Sequence, residues 1–273
     1  MNNILIFIFF IAIFAKFFML FNKKKFSKDK YININQRIDT WFIIIFIIFI
    51  ASFSRVKLII LFSLISYLAC REFSYLTEIR INFKIIFLIV LNIFLFYCSV
   101  YFKSPVIFIL TCINTLIIFI NSKERKKVLI ILFICIYMLG AITTIENLNL
   151  IISFLVLIEL NDIFQYISGN LFGKIKITPI LSPNKTLEGL LGGILLTSIS
   201  SIFVKIFFEK TIILSIIPLI ALLGFLGDIL ISYFKRKYQK KDSGTLLKGH
   251  GGILDRVDSL IFNSVFLALI YAL

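Results

Sequence analysis

Acidic side chains, histidine and cysteine are all scarce in this 273-residue sequence. Lys and Arg number 29 against 14 Asp and Glu, and there is 1 His. The four cysteines, at positions 70, 98, 112 and 135, are spread singly through apolar segments. Without a CxxC pair or a cluster of Cys and His, neither a zinc site nor a disulfide framework is predicted. The cysteines are instead expected to be small core or lipid-facing residues.

Several motifs of soluble nucleotide-binding and hydrolytic proteins are also absent. The sequence contains neither GxxxxGK[ST] nor GxGxxG, so nucleotide chemistry here would not use a common soluble nucleotide fold. HExxH and GxSxG are missing too. Their absence argues against an intramembrane zinc protease and against a serine esterase.

Apolar residues dominate the composition. They make up 60% of the chain, with 32 Phe and a mean hydropathy of +1.04, whereas soluble domains contain roughly 45–50% apolar residues. The sequence therefore predicts an all-α, polytopic integral membrane protein with a single membrane-embedded domain over 1–273. The net charge of +15 is interpreted as basic cytoplasmic loops, and no nucleic-acid partner is expected.

Ten apolar runs are candidate membrane helices. The first lacks a basic leader and a small-residue cleavage site, so it is expected to be a transmembrane helix and not a signal peptide. Two runs are short for a span and could be tilted or form a hairpin, so about nine to ten crossings are predicted. The runs are 4–21, 41–54, 57–71, 84–102, 105–121, 127–145, 148–162, 189–208, 211–230 and 258–273.

The charged loops divide unevenly between the two sides of the predicted membrane. Those that carry most of the Lys and Arg fall on one side when crossings alternate: 22–40, 71–83, 122–126, 163–188 and 231–257. This asymmetry predicts a multi-pass protein of the cytoplasmic membrane, with these loops inside and, for ten crossings, both termini outside. Residues 1–150 carry no specific motif, and 151–273 is predicted to be the catalytic part.

A dense polar block near the C-terminus begins at the end of an apolar run. Asp228 lies there, where a carboxylate is costly and is a functional candidate by default. Spacings of three and four residues place Asp228, Ser232, Lys235 and Arg236 on one side of a continuing helix. An acid, a hydroxyl and two bases on one face suit a metal ion with phosphates. The alternative is a helix end whose Lys and Arg reach the lipid headgroups.

Glycines and bases follow in the same block. The segment Lys241-Asp242-Ser243-Gly244 is expected to break the helix. Gly251 and Gly252, next to His250, allow backbone N–H groups to approach an anion. A lone His among glycines is more often structural or phosphate-facing than a metal ligand.

Carboxylates close the block. Asp255 and Asp258 have a spacing that turns both the same way on a helix, with Arg256 between them. Together with Asp228 they bracket a loop rich in Lys, Arg and Gly. Oxygen-rich sites of this kind hold Mg²⁺, which is usually bound by one or two carboxylates plus substrate phosphates.

A second polar segment covers 161–193 and includes Asp162. Ser182 is expected to be a helix N-cap, with Pro183 at the first helical position. The N–H groups of such a helix start, with Lys185 and Thr186, would form an anion site. The alternative is an ordinary capped helix without a ligand.

The two segments together resemble phosphatidate cytidylyltransferases, also called CDP-diacylglycerol synthases. The sequence departs from the usual family pattern at Lys248, where Pro or Gly is common, and at Gln165, where a small residue is common. The sequence around Gln165 resembles a side branch of the family. The residues that carry the resemblance are Asp162, Tyr166, Phe172-Gly173-Lys174, Ser182-Pro183-Asn184-Lys185-Thr186-Leu187-Glu188-Gly189, Ser232, Phe234, Lys235-Arg236, Lys241-Asp242, Gly244, Leu247, His250-Gly251-Gly252, Ile253 and Asp255-Arg256-Val257-Asp258.

The resemblance implies an all-helical membrane enzyme that acts as a homodimer. Its implied reaction transfers the cytidylyl group of CTP to phosphatidate, giving CDP-diacylglycerol and pyrophosphate for phospholipid biosynthesis. The active site is then expected to face the cytoplasm, where CTP is found.

The resemblance also implies roles for the site residues. Asp228 and Asp255 are the implied ligands of Mg²⁺, with a second cation such as K⁺ nearby, and Asp162 would support a cation or the cytidine. Asp242 and Asp258 complete the acidic part of the catalytic set. The residues implied to hold phosphates or to shape the substrate pocket are Lys235, Arg236, Lys241, Arg256, Ser182, Lys185, Thr186, Ser232, His250, Gly251 and Gly252.

Two other functions are compatible with the pattern. One is a CTP-dependent transferase that acts on another lipid phosphate or on a lipid alcohol. The other is a cation-coupled transporter, because intramembrane acids in a many-helix protein can move cations. Transporters place such groups near the middle of the membrane, whereas here they lie at segment ends on one side.

Overall fold

A computed structural model gives the architecture of most of the chain. The residues it describes are 13, 16, 28–51, 53–78, 83–102, 105–121, 123, 127, 148–208, 216–246 and 251–272. Most of the predicted runs over 4–21 and 127–145, together with Lys248 and His250, lie outside the described residues.

The described part of the chain is helical and contains no strand longer than an isolated bridge between Lys176 and Thr186. This confirms the predicted all-α class. The helices are α1 (Lys28–Ala51), α2 (Arg55–Leu76), α3 (Phe83–Phe102), α4 (Pro105–Asn121), α5 (Leu148–Phe172), α6 (Leu187–Phe208), α7 (Ile217–Lys237), α8 (Leu254–Val257) and α9 (Leu260–Ala272).

Several helices extend beyond the apolar runs that predicted them. α1 begins at Lys28, inside the stretch 22–40 that was predicted to be a loop. That prediction is wrong because the polar segment contains neither Gly nor Pro, so nothing ends the helix before its apolar part. In the same way α5 continues to Phe172 and α7 to Lys237, which shortens the predicted loops that began at 163 and 231.

Two described helices are long and apolar enough to cross a membrane, over Ile152–Phe172 and Ile217–Lys237. Shorter apolar helical stretches cover Phe42–Ala51, Phe87–Phe96 and Leu187–Ile202. Large apolar side chains remain exposed along these helices, as expected for a protein surrounded by lipid. These helices and the exposed apolar side chains indicate a helical membrane protein.

Close helix packing holds the part that carries the polar segments. α5 and α6 lie against each other along much of their length. Gly192 and Gly193 of α6 have no space for a β-carbon, because Ser168 and Gln165 of α5 lie directly against them. Small residues at helix contacts are the usual way in which membrane helices approach closely.

The core extends from these helices to α2. Leu76, Leu157, Ile231 and Leu254 are each fully buried, and they come from α2, α5, α7 and α8. The aromatic rings of Phe73 in α2 and Phe234 in α7 pack edge to face with centroids 5.0 Å apart. The end of α2 therefore packs against the segments that hold the C-terminal polar block.

The cysteines depart in one respect from the prediction that none is paired. Cys70 is buried and disulfide-bonded, whereas Cys98 is a free, half-buried thiol. Spacing along the sequence did not reveal this pairing because partners in a disulfide need only be neighbours in space.

Candidate active site

The last three turns of α7 present the first group of polar side chains. The Ser232 hydroxyl donates to Asp228 Oδ1 at 3.1 Å, one turn apart on the same face. Lys235 lies on that face one turn further on, and its amino group reaches Asp255 Oδ1 at 2.8 Å. The periodicity of the helix thus collects an acid, a hydroxyl and a base that are separated in sequence.

Lys185 joins the two polar segments. Its amino group lies 2.6 Å from Asp228 Oδ2 and 3.5 Å from the carbonyl oxygen of Phe225. It also lies 4.5 Å from the centroid of the Phe225 ring. The loop that precedes α6 and the polar end of α7 therefore form one site and not two.

Asp255 has a partner for each of its oxygens. Oδ1 accepts from Lys235, and Oδ2 accepts from the backbone N–H groups of Ser243 at 2.8 Å and Gly252 at 3.1 Å. Burial alone would raise the pKa of this carboxyl, but Lys235 and the two N–H groups hold the pKa below its ordinary value. Asp255 is therefore ionised at neutral pH. Its carboxylate also stabilises the turn from Gly252 to Asp255.

Two glycines allow backbone to approach closely here. Gly251 has φ of +81°, and a β-carbon at this position would lie 2.7 Å from Asp255 Oδ2. A side chain at Gly227 would collide with the Asp258 carbonyl group, so this glycine lets the segment after α8 lie directly against α7. Positive φ and close backbone contact are the two conditions under which glycine is required.

Asp162, Asp228 and Asp258 form an acidic group at the centre of the site. Asp258 is within electrostatic range of both other carboxylates and of Lys185 and Lys235. Asp162 is hydrogen-bonded to the Ser259 side chain. The site therefore combines clustered negative charge with amino groups, an arrangement that suits a cation together with an anionic ligand.

The acids are not assembled around one point. Within the described residues, no set of three or more His, Cys, Asp or Glu side chains is arranged to hold a metal ion. Asp228 is partly exposed, with 36% of its side chain accessible, whereas Asp255 is only 6% accessible and is occupied by Lys235. Asp228 is thus the more open of the two predicted metal ligands.

The start of α6 differs from the sequence prediction. The helix begins at Leu187, and Thr186 is its N-cap because its hydroxyl oxygen accepts from the Gly189 N–H at 3.1 Å. Ser182 lies in a preceding turn, in which the Lys185 N–H donates to the Ser182 carbonyl at 3.1 Å. The predicted N-cap at Ser182 is wrong because Pro183 is also favoured at the second position of such a turn.

The remaining predicted residues lie at the rim of the site or beside it. Arg236 is exposed and donates to the carbonyl oxygens of Leu181 and Lys240, each at 3.3 Å. Lys241 and Asp242 are exposed as well. Arg256 is half-buried, and its Nε has no hydrogen-bond partner among the described residues. These bases leave hydrogen-bonding capacity for an anionic ligand.

Glu72 of α2 contacts this region and was missed by the sequence reasoning. Its carboxylate accepts from Ser243, Ile253 and Leu254, although only 5% of the residue is accessible. The one signal in the sequence is an acid directly after the apolar run 57–71. Nothing in that signal names its partners, which are more than 170 positions away in the chain.

The sequence of this chain is similar to known proteins. A model of the cytidylyltransferase family matches residues 35–273. The chain belongs to the cytidylyltransferase family. The resemblance read from the motif residues is thereby confirmed at the level of the family.

Curated relatives of this cytidylyltransferase-family chain come from bacteria. A phosphatidate cytidylyltransferase of Staphylococcus saprophyticus is 43% identical over 124 residues, which cover 44% of this chain and 48% of the relative. One of Staphylococcus epidermidis is 42% identical over the same length. The uncharacterized protein YnbB of Escherichia coli is 44% identical over 126 residues, or 45% of this chain and 42% of that protein. The chain spans about half the length of the curated relatives it matches.

Proposed function

We propose that this chain transfers the cytidylyl group of CTP to phosphatidate, giving CDP-diacylglycerol and pyrophosphate. The observation that carries the proposal is the contact between Lys185 and Asp228, which joins both motif segments into one site of acids and amino groups. Membership of the cytidylyltransferase family and the names of two staphylococcal relatives support the choice of substrates.

In the proposed reaction a phosphate oxygen of the lipid forms a bond to the α-phosphorus of CTP. The bond from that phosphorus to the bridging oxygen of the β-phosphate breaks, and pyrophosphate leaves. Such a transfer depends on positioning and on neutralisation of charge. Lys185 and Lys235 are half-buried amino groups that would exchange their carboxylate partners for phosphate oxygens. Arg236, Lys241 and Arg256 are further bases of the same polar block.

The donor set fits Mg²⁺, because the acidic group offers only oxygen ligands. Asp228 would hold the ion together with substrate phosphates, with Asp162 and Asp258 nearby. The bound ion would neutralise charge on the phosphate oxygens. Asp255 remains a proposed ligand. To bind the ion through Oδ1 it would have to release the Lys235 amino group, which donates to that oxygen. A second cation such as K⁺ is proposed for the same acidic group.

The proposed setting is the cytoplasmic membrane, with about nine to ten crossings and the site facing the cytoplasm. Contacts between the polar end of α7 and the loop before α6 support placing both segments on one side of the membrane. Their basic residues favour the cytoplasmic side. A homodimer is proposed from the resemblance to the family.

The test is an assay on the purified full chain with CTP labelled at the α-phosphate. We expect label in the lipid fraction with phosphatidate and Mg²⁺, and none after the metal is chelated. Replacement of Asp228 by Asn should lower the rate by roughly 10²–10³, the loss typical of removing one electrostatic stabiliser. The amount of inserted protein should stay the same.

The acceptor and the label separate the alternatives. Transfer to another lipid phosphate, with phosphatidate inactive, would change the substrate but keep the reaction class. If the lipid is labelled from CTP that carries the label at the γ-phosphate, and not from α-labelled CTP, the enzyme is a lipid kinase. Failure to label any lipid, together with cation flux into vesicles, would reject the enzyme in favour of a transporter. Full activity of Asp228→Asn would remove Asp228 from the proposed metal site.

A further inference from the structure

The carboxylate of Glu72 contacts three groups of the C-terminal polar block. Glu72 Oε1 accepts from the Ile253 N–H at 3.0 Å. Oε2 accepts from the Leu254 N–H at 2.8 Å and from the Ser243 hydroxyl at 3.1 Å. Burying a carboxylate is costly unless it is well hydrogen-bonded, so this set of donors explains how the acid is tolerated near the end of an apolar helix.

Glycines leave room for this carboxylate. A β-carbon on Gly244 would lie 2.7 Å from Glu72 Oε1, and one on Gly252 would collide with Oε2 and with the Ser243 hydroxyl. The backbone around Glu72 is therefore shaped to the acid. Each carboxylate oxygen of Glu72 thus lies where a side chain on one of these two glycines would collide with it.

The groups held by Glu72 are shared with the candidate active site. Ser243 donates its hydroxyl to Glu72 and its backbone N–H to Asp255. Three consecutive backbone N–H groups donate to the two acids. The Gly252 N–H donates to Asp255, and those of Ile253 and Leu254 donate to Glu72. Because Asp255 in turn binds Lys235, a continuous set of hydrogen bonds leads from Glu72 to an amino group proposed to bind phosphate.

A second contact fixes the end of α2 to the segment that follows α7. The amino group of Lys240 donates to the carbonyl oxygens of Tyr75 at 2.7 Å and Leu76 at 3.4 Å. These are terminal carbonyls of α2, where a cation is favourable. The end of α2 is thus held by Lys240 while Glu72 holds the turn before Asp255.

We infer that Glu72 is a positioning residue for the cytidylyl transfer proposed above. It orients Ser243 and the Gly252–Leu254 turn, and through them it sets Asp255 and Lys235 relative to the CTP phosphates. The inference rests on the proposed function and extends it to the N-terminal half of the chain, in which no functional motif was found.

The test compares Glu72→Gln with Glu78→Gln in the full-length protein. The amide is similar in size, but its NH₂ group would face an N–H or a hydroxyl donor. We expect kcat/KM for CTP to fall on the order of 10- to 100-fold, as for displaced groups in other sites. Glu78 is exposed in the turn that follows the same helix, so its variant should retain wild-type kinetics.

The KM for CTP distinguishes positioning from a general loss of folded protein. A smaller folded fraction lowers the apparent kcat and leaves KM unchanged, whereas a displaced Lys235 should raise KM for CTP several-fold. Ser243→Ala removes one of the three hydrogen bonds and should give a smaller loss. The double variant should lose less than the product of the single losses, because the two residues act through one contact.

Hydrogen exchange supplies a readout that does not need activity. The backbone amides of Ser243 and Gly252–Leu254 should exchange faster in Glu72→Gln and not in Glu78→Gln. An active wild type with an equally active Glu72→Gln, or unchanged exchange at these amides, would overturn the inference. Absence of cytidylyl transfer in the wild type would instead reject the proposed function, while the exchange data would still report on Glu72.

Discussion

At the level of single residues, Lys235 and Asp255 form the most buried ion pair among the described side chains, with 12% and 6% of their side chains accessible. Burying both charges is expensive, and the pair is tolerated because Asp255 also accepts two backbone N–H bonds. Lys185 and Asp228 differ, since Asp228 is 36% accessible. The second pair is accordingly the one that a substrate can separate at lower cost.

Replacement of Asp255 by Asn should destabilise the protein by about 3–5 kcal/mol, because Lys235 would be left buried without a counter-charge. Thermal unfolding in detergent measures this loss. The double variant with Lys235→Met should regain much of the stability but no activity, since both charged groups are then gone. Equal stability of the single and double variants would show that the charge of Lys235 is not what destabilises Asp255→Asn.

At the level of elements, the segment between α5 and α6 is held by a carboxylate of α6 and by backbone contacts within the segment. The Glu188 carboxylate accepts from the Lys174 N–H at 2.9 Å and the Ile175 N–H at 3.2 Å. The Ile177 N–H donates to the Lys185 carbonyl at 3.1 Å. These bonds place Lys185 at the end of a short antiparallel turn, from which its side chain reaches Asp228.

Thr186→Ala should cost about 1 kcal/mol of unfolding free energy, because it removes the N-cap bond to Gly189. It should also lower activity, since Lys185 is the preceding residue. Ser182→Ala is the matched change, and we expect little effect because the backbone carbonyl and not the hydroxyl closes that turn. Denaturation of both variants tests the assignment; a larger cost at Ser182 would restore the N-cap that was predicted there.

Sequence patterns predicted the elements better than their ends. The run 105–121 coincides with α4 because Pro105 marks its start and most of its residues are apolar. α5, in contrast, continues ten residues past the predicted end at 162, through a polar stretch that still favours helix. The N-cap was misplaced for a similar reason, since Ser182 and Thr186 are both acceptable caps by composition.

At the level of the whole molecule, α2 links the N-terminal helices to the polar block. Glu72 and Lys240 form the polar part of this link, and Phe73 and Phe234 form its apolar part. The N-terminal half therefore contributes to the candidate site, although its sequence carries no motif of its own.

Impermeant thiol labelling should test the proposed orientation of the site. Cysteines introduced at Lys176 and Thr245, which are both exposed, should be labelled from the cytoplasmic side and not from the outside. Ile199→Cys serves as the control, because that exposed position on α6 should be shielded by lipid. The wild type provides the background from the native cysteines. Labelling of the two loops from opposite sides would contradict a single cytoplasmic site.

The sequence by itself determined the fold class, the membrane setting and the two polar segments of the site. These follow from local properties, namely the apolar composition and the spacing of polar residues along a helix such as Asp228, Ser232 and Lys235. Only the tertiary structure decided that Lys185 pairs with Asp228, that Lys235 occupies Asp255, and that Glu72 holds the turn before it. These contacts join residues that are distant in the chain, and their formation depends on how the helices pack.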